Sequence, residues 1–280
     1  MKKHILALTL ALAMTATLAG CGGNGSDNSS TGTSTDGTTA GGTTAATTAA
    51  ATTAGGTDFG LADLVGKELP NVEDPAELGD RVKSEDGKWV IDNNCTVEGT
   101  DKALVASTGE AVAFFAGQSL GTAWKAQANF VPIKCFTVDQ PVCCRLFIHN
   151  EDQTHVLLLS VNFIDKSAEN LPNNVELDLQ VYNGKRWKSL YNSNGWIETE
   201  STVFHFELSR AEGSKKIQLN VTGDKGELVN RETIAEIADD LVDTPVLAGF
   251  GVSNSAVQYS SIKVEGNGPT TGFKFGELEF

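Results

Sequence analysis

The sequence alternates most strictly at residues 175–182, where it reads VELDLQVY. Four apolar residues occupy the odd positions, and the even positions carry Glu176, Asp178, Gln180 and Tyr182. Successive side chains of a β-strand point to opposite faces of a sheet. The stretch therefore predicts a strand with one face in a core and the other toward solvent.

Outward from this strand, Asn183-Gly184 predicts a tight hairpin turn into 185–190. The same period of two predicts further strands at 88–91, 95–98, 103–106, 110–115, 122–131, 142–149, 154–163, 202–208, 215–222, 246–252 and 256–264. Helical spacing is confined to Glu232–Leu241, and a helical turn is expected within 58–66. Many antiparallel strands with one or two short helices predict an all-β, two-sheet sandwich.

The first twenty residues have the order of an export signal. Lys2 and Lys3 precede an apolar run that is too short to span a bilayer, and the run ends in Leu18-Ala19-Gly20-Cys21. This ending resembles the bacterial lipobox. The resemblance implies that residues 1–20 are removed and that Cys21 carries the lipid that anchors the protein to a membrane, outside the cytoplasm.

The next segment, 21–57, is predicted to be a disordered tether. After Cys21 it consists of Gly, Thr, Ala, Ser and Asn with two aspartates, and it offers almost nothing to bury. A flexible chain of this length reaches roughly 30–35 Å r.m.s.. We therefore expect a sandwich at 58–266, held away from the membrane, and a C-terminal tail at 267–280.

The charge of the chain argues against several partners. The formal net charge is −15, and removal of the signal takes away two lysines and no acid, which leaves −17. Such a charge disfavours nucleic acid and docking on anionic lipid.

Among the four cysteines after Cys21, the spacing suggests one candidate disulfide. A hairpin around 138–141 could bring Cys135 near Cys143 or Cys144, and an exported protein can oxidise them. No ligand pairs stand at zinc-like spacing. Aspartates in predicted loops supply hard oxygen ligands that could bind calcium, although no loop has a recognised spacing; they are Asp152, Asp165 and Asp224.

Three segments together resemble a concanavalin-A-like (laminin-G-like) jelly roll. They are the strand–turn–strand run 144–159, the run that joins Gly195-Trp196 to 204–208, 217–221 and the loop 224–226, and the closing pair 247–252 and 257–264. The resemblance covers roughly 85–266. It implies a protein that binds or cleaves carbohydrate, or an adhesive or structural module, and the fold alone does not choose among these.

Retaining glycosidases of that superfamily resemble one another in a strand motif of alternating acids, Glu-x-Asp-x-Glu, which supplies a nucleophile and an acid. Glu176 and Asp178 fit the first two positions and are the candidate catalytic residues. Gln180 stands at the third position, and an amide cannot donate and retrieve a proton. We therefore lean toward a protein that is not an enzyme. His155 lies on an apolar alternation and is expected to be a core residue.

The densest mixture of aromatic and polar residues is 182–196. Flat aromatic rings cover the apolar faces of sugars, and amides bind sugar hydroxyls. The candidate ligand-binding residues are Tyr182, Asn183, Trp187, Tyr191, Asn192 and Asn194. The alternative is that Trp187 caps the sheet and Trp196 anchors a strand start. Trp89 and Trp124 are expected in the core.

The sequence thus favours a surface-anchored lipoprotein with a non-catalytic carbohydrate-binding sandwich, whose partners are a membrane, through the lipid, and a glycan. A glycoside hydrolase or lyase and a structural or adhesive envelope protein remain as alternatives.

Overall fold

A computed structural model describes residues 59–73, 81–92, 95–150, 154–234, 246–275 and 278–280. The predicted signal 1–20, Cys21 and the tether lie outside these residues and stay predictions. Within the described residues, no helix has the length and apolar character needed to cross a membrane.

β-Strand is the predominant secondary structure of the described residues. The strands are β1 (Val82–Lys83), β2 (Trp89–Ile91), β3 (Cys95–Glu98), β4 (Lys102–Phe115), β5 (Trp124–Cys135), β6 (Val142–Asn150), β7 (His155–Ile164), β8 (Asn173–Asn183), β9 (Trp187–Asn192), β10 (Ile197–Thr199), β11 (Phe204–Arg210), β12 (Lys216–Gly223), β13 (Gly226–Ile234), β14 (Val246–Gly266), β15 (Lys274–Phe275) and β16 (Leu278–Glu279). Two 3-10 turns, Leu61–Asp63 and Ser167–Glu169, complete the described elements.

Two long, bent strands, β4 and β14, belong to both layers of the sandwich. The first half of β14 pairs with β6 on one side and with the second half of β4 on the other. Its second half pairs with β5 and with the first half of β4. Layer 1 therefore runs β8-β7-β6-β14-β4-β2, with β9 and β10 beside β8, and layer 2 runs β3-β4-β14-β5-β11-β12-β13. All of these pairs are antiparallel.

The bends explain one difference from the sequence prediction, which divided β4 and β14 into two strands each. The register between them shifts at Ser253–Ser255, where Asn254 has a φ of 48° and Ser255 is fully buried. A bulge of this kind turns a strand while the ladder continues on both sides of it. A strand can therefore leave one layer and enter the other without ending.

The core lies between the layers and consists of the apolar positions of the alternating strands. Leu177 and Leu179 of β8 are fully buried there, as are Phe206 of β11 and Phe250 of β14. Trp89 and Trp124 belong to the same cluster, as the sequence predicted.

The C-terminal segment covers part of the outer face of layer 1. β15 and β16 form a hairpin, and Phe273 and Phe275 are buried against Phe114 and Leu247. The outer face of layer 1 is apolar at this point, so it needs a cover. The sequence prediction of a separate tail at 267–280 is therefore wrong for the part that the structure describes.

The segment that enters the domain covers part of layer 2 in the same way. Leu61 is buried with Val131 and Val203, and the backbone oxygen of Phe59 accepts a 2.7 Å hydrogen bond from Asn129 Nδ2. The 3-10 turn at Leu61–Asp63 confirms the helical turn expected within 58–66.

The helix predicted from Glu232 is wrong at its start. Residues 226–234 form β13, and Glu232 lies opposite Gln218 in the ladder with β12. Pairing with β12 satisfies the backbone of this segment, so the local helical spacing is overridden by tertiary structure. The rest of the predicted helix, 235–241, lies outside the described residues.

The four cysteines are free thiols, so the predicted disulfide is not formed in this structure. Cys144 is fully buried in the core, and Cys143 lies on the opposite, outer face of β6. Cys144 therefore cannot form a disulfide with a residue on that outer face. Cys135 lies opposite Ser255 of β14 and Cys143 opposite Ser253. Cys135 donates instead to the backbone oxygen of Asn254 at 3.2 Å.

Candidate functional site

The polar positions of β8 form a stripe on the outer face of layer 1. Glu176, Asp178 and Gln180 are half-buried and alternate with the fully buried Leu177 and Leu179. The antiparallel ladders place polar groups of β7 and β9 beside them, because Ser160 lies opposite Asp178 and Ser189 opposite Gln180. We call Glu176, Asp178, Gln180 and Ser189 the β8 stripe.

An aromatic pair closes one end of the β8 stripe. Tyr182 and Trp187 lie directly opposite each other across the hairpin, with ring centroids 5.3 Å apart and ring planes at 35°. Both side chains are half-buried, so each ring keeps some surface open to solvent. The hairpin thus presents two adjoining rings on the face that carries the carboxylates.

A short hydrogen-bond network connects the stripe. Gln180 Nε2 donates to Asp178 Oδ2 at 2.6 Å, and the Ser189 hydroxyl donates to Asp178 Oδ1 at 3.2 Å. Asn162 Nδ2 donates to Glu176 at 3.3 Å. The amide oxygen of Gln180 is buried and has no partner. A buried polar atom without a partner is costly, and it marks a place where a ligand donor would fit.

Burial raises the pKa of Asp178, and the charge of Glu176 acts in the same direction. The hydrogen bonds from Ser189 and Gln180 oppose the shift because they stabilise the charged carboxylate. A perturbed carboxylate is a frequent mark of a functional site, although ion networks that serve structure also perturb pKa values.

The structure separates Tyr191, one of the predicted ligand-binding residues, from the aromatic pair. The register shifts between Leu179 and Gln180, and this shift turns Tyr191 toward the core side of β9. Its ring there lies 5.1 Å from the Arg231 guanidinium.

The three predicted asparagines serve turns. The Asn183 side-chain oxygen accepts hydrogen bonds from two backbone N–H groups of its own hairpin, and the Asn192 oxygen accepts one from Asn194 at 2.7 Å. Asn194 has a φ of 58°, which a short polar side chain tolerates. The side-chain oxygens of Asn183 and Asn192 are thus bonded to backbone, and the Asn192 side chain also hydrogen-bonds to Asp178.

Trp196 is the most exposed tryptophan, at 43%, and it immediately precedes β10. Glu198 lies opposite Asn174 of β8, and alternation places Trp196 on the same side as Glu198. A third ring therefore stands at the other end of the β8 stripe. The sequence prediction weighed Trp196 only as a strand anchor.

The histidines differ from expectation. His155 is half-buried and not a core residue, whereas His149 and His205 are 2% and 1% exposed. Sequence reasoning missed His205. The available signal was its position in Phe204-His205-Phe206-Glu207, where alternation places it on the outer face with Glu207 and not with the phenylalanines.

No cluster of three or more His, Cys, Asp or Glu side chains suited to a metal exists among the described residues. Asp224 Oδ1 instead accepts hydrogen bonds from the backbone N–H groups of Thr202 and Val203, and Asp165 caps Ser167. Asp152 lies outside the described residues.

The comparisons with known proteins found similar solved structures and no related sequence. The chain matches no protein-family model and no curated protein. Among solved structures it is similar to the Lotus tetragonolobus seed lectin, at 8% identity and a TM-score of 0.46 over 67% of this chain and 97% of that one. It is also similar to peanut lectin, at 13% identity and 0.42 over 68% and 99%, and to a Bacillus subtilis protein with a galectin-like fold, at 11% and 0.38 over 68% and 97%. The chain's own strand order makes the fold a jelly-roll sandwich. At such low identities and TM-scores, the likenesses support no conclusion about function.

Proposed function

We propose that this protein is an extracytoplasmic lipoprotein, anchored through Cys21, whose jelly roll binds carbohydrate without cleaving it. The anchoring rests on the charged start, the apolar run and the lipobox-like residues before Cys21. The tether at 21–57 has the composition of a flexible spacer.

The observation that carries the binding proposal is the coincidence of Tyr182 and Trp187 with the β8 stripe on one face. Sugars offer apolar ring faces to aromatic rings and hydroxyls to carboxylates and amides. The unpartnered oxygen of Gln180 accepts a hydroxyl hydrogen, and Glu176 supplies a further acceptor at the stripe.

The non-catalytic part of the proposal rests on Gln180. Glycosidases need two carboxyl groups that exchange a proton with substrate and water. Gln180 stands beside Asp178 and holds it with a 2.6 Å hydrogen bond. An amide in this position orients a carboxylate but cannot act as the acid.

A glycan array probed with the full chain tests binding. We expect retention on a restricted set of glycans and a loss of about tenfold or more in affinity for Trp187→Ala. Phe136→Ala is the matched control, because Phe136 is a half-buried ring at the end of β5, away from the β8 stripe. Absence of binding by the unmutated chain would contradict the proposal, as would equal loss in the control.

The same glycans test catalysis. Release of reducing ends that disappears in Glu176→Gln would replace the binding proposal with a hydrolase. Burial at Asp178 is the observation that favours that alternative, since catalytic acids have raised pKa values.

The anchor has a separate test. Cys21→Ser should remove the lipid and release the protein from the membrane fraction into the soluble one, whereas Cys95→Ser should leave it membrane-bound. Retention of the Cys21→Ser variant in the membrane would contradict the anchoring.

A further inference from the structure

A cavity of about 460 Å³ lies on the opposite side of the sandwich, on the outer face of layer 2. Its lining includes Gln127 and Asn129 of β5, His205 of β11, and Lys263 and Glu265 of β14. The volume lies within the usual range of small-molecule sites. The β8 stripe contributes nothing to this cavity, so the two faces are independent.

His205 is the best-defined group in the cavity. It is 1% exposed, and its Nδ1 lies 2.8 Å from the amide oxygen of Asn129. The amide nitrogen of Asn129 donates to the backbone of Phe59, which fixes the amide oxygen toward the ring. His205 therefore carries its proton on Nδ1, and its Nε2 is an acceptor. That Nε2 is buried and has no partner.

Burial lowers the pKa of His205 to about 3, and the charges of Lys125 and Lys263 act in the same direction. The ring is consequently neutral at physiological pH. The Nε2 lone pair can then accept a hydrogen bond from a ligand. A neutral hydroxyl is a suitable donor to this neutral acceptor.

Phe59 makes one wall of the cavity. Its ring stacks on His205 with centroids 3.7 Å apart and planes at 8°. Leu61, two residues later, is buried against layer 2 and fastens the segment. The wall is thus part of the folded surface and comes from the residues that directly follow the predicted tether.

A strained bulge makes another part of the lining. The ladder of β14 with β5 shifts between Ser260 and Lys263, and Ser261 has a φ of 50°. Non-glycine residues adopt such a φ at a cost, and these residues cluster at ligand sites. The shift places Lys263 opposite Gln127, on the cavity side of the sheet.

The two lysines that line the cavity differ in whether they form an ion pair. Lys125 forms a 2.6 Å ion pair with Glu207, whereas no carboxylate of the described residues forms an ion pair with Lys263. Lys263 is exposed and lines the cavity, so its ammonium group is available to an anionic ligand. Glu265 and Asp101 offer carboxylate acceptors for further hydroxyls.

We propose that the His205 cavity is a second binding site and holds one acidic sugar residue, a hexuronate whose hydroxyl donates to His205 Nε2 and whose carboxylate pairs with Lys263. The ligand satisfies the orphaned acceptor and the unpaired ammonium group together. A neutral sugar would satisfy only the first.

Calorimetry of the full chain in detergent micelles tests this site, with D-glucuronate and D-galacturonate as probes and D-glucose and D-galactose as neutral references. We expect at least one acidic sugar to bind about tenfold more tightly than its neutral counterpart. Lys263→Met should remove this preference, because it keeps the side-chain stem and loses the charge. Lys188→Met, an exposed lysine on β9, is the matched control and should bind like the unmutated chain.

A second pair of variants separates this site from the aromatic pair. Phe59→Ala should weaken hexuronate binding and leave glycan-array binding unchanged, and Trp187→Ala should do the reverse. The proposal is overturned if neither acidic sugar binds at about 10 mM, if neutral and acidic sugars bind alike, or if Lys263→Met binds as tightly as Lys188→Met.

Discussion

The two outer faces of the sandwich are built in opposite ways. On layer 1, an apolar region around Phe114 is sealed by the C-terminal hairpin, and the polar β8 stripe lies beyond it. On layer 2, the face is polar across β5, β11 and β12. Among the residues that the structure describes, the segment from Phe59 to Leu64 crosses this face, over a cluster with three buried members. The C-terminal hairpin thus buries the apolar region of layer 1, whereas on layer 2 a cavity remains beside the short segment from Phe59 to Leu64.

This contrast indicates that ligands bind on the outer faces of the two layers and not in the core between them. Both layers share one core, so neither can rearrange its inner face without loss of stability. The outer faces are free to differ, and each carries a buried polar atom without a partner, at Gln180 on layer 1 and at His205 on layer 2. The first atom belongs to the β8 stripe, and the second lies beside the cavity, on the ring that stacks under Phe59.

The largest expected effect is a loss of stability when either covering segment, the C-terminal hairpin or the segment from Phe59 to Leu64, loses a buried side chain. Phe275→Ala should lower the free energy of unfolding by about 4 kcal/mol, because the ring is 3% exposed and contacts Phe114 at 4.9 Å. Leu61→Ala should cost about 2 kcal/mol, because its cluster is small and has less to lose. Urea denaturation of both variants measures the difference. Leu171→Ala, which alters a half-exposed side chain, is the control and should be near neutral. Equal costs for Phe275 and Leu61 would remove the distinction between the two covers.

Much of this architecture could be predicted from the sequence, because alternation reports burial directly. The strand at 175–182 was found where the structure has β8, and the hairpin turn at Asn183-Gly184 joins it to β9. Two features had no local signal. The bends in β4 and β14 depend on a bulge between distant strands, and the hairpin of Phe273 and Phe275 depends on an apolar face that only the folded layer creates.

The next largest effect is a loss of stability in acid that arises from His205 on layer 2. The folded pKa of His205 is about 3 against an ordinary value of 6.5, so the unfolded chain binds more protons between these values. The stability that neutral His205 contributes is fully present above pH 6.5 and is lost as the pH falls toward 3. We expect a loss of about 3 kcal/mol between pH 6.5 and pH 4 from this group.

Denaturation across this pH range checks the prediction. His205→Phe keeps the stacking with Phe59 and should flatten the dependence, whatever its stability at pH 7. Lys125 and Lys263, whose charges act on the ring, remain in the variant, as does Glu207, the ion-pair partner of Lys125. His155→Phe is the control, because His155 lies on layer 1. An unchanged slope in His205→Phe would show that the ring is not held neutral.

The candidate site was less accessible to sequence reasoning than the fold. Tyr182 and Trp187 were both among the predicted ligand-binding residues, and the hairpin register that follows from the turn places them opposite each other. Tyr191 was misplaced, since a single extra residue in β9 reverses the faces after it. His205 was missed because its partners, Asn129 and Phe59, are far away in the chain, and only the fold brings them together.

The smallest expected effect has the opposite sign and concerns layer 1. Burial raises the folded pKa of Asp178 above its ordinary value of 3.8, so the native state binds the proton more readily than the unfolded chain. Asp178 therefore destabilises the native state at pH 7, and this cost disappears as the pH falls through the folded pKa toward 3.8. Asp178→Asn should be more stable than the unmutated chain at pH 7, and the difference should shrink in acid. An asparagine here can also donate to the unpartnered oxygen of Gln180.

Ser189→Ala removes a hydrogen bond that favours the charged carboxylate, so it should enlarge the acid stabilisation that Asp178→Asn abolishes. If acid weakened the Asp178 and His205 faces alike, the contrast between a buried carboxylate on one layer and a buried neutral imidazole on the other would be wrong.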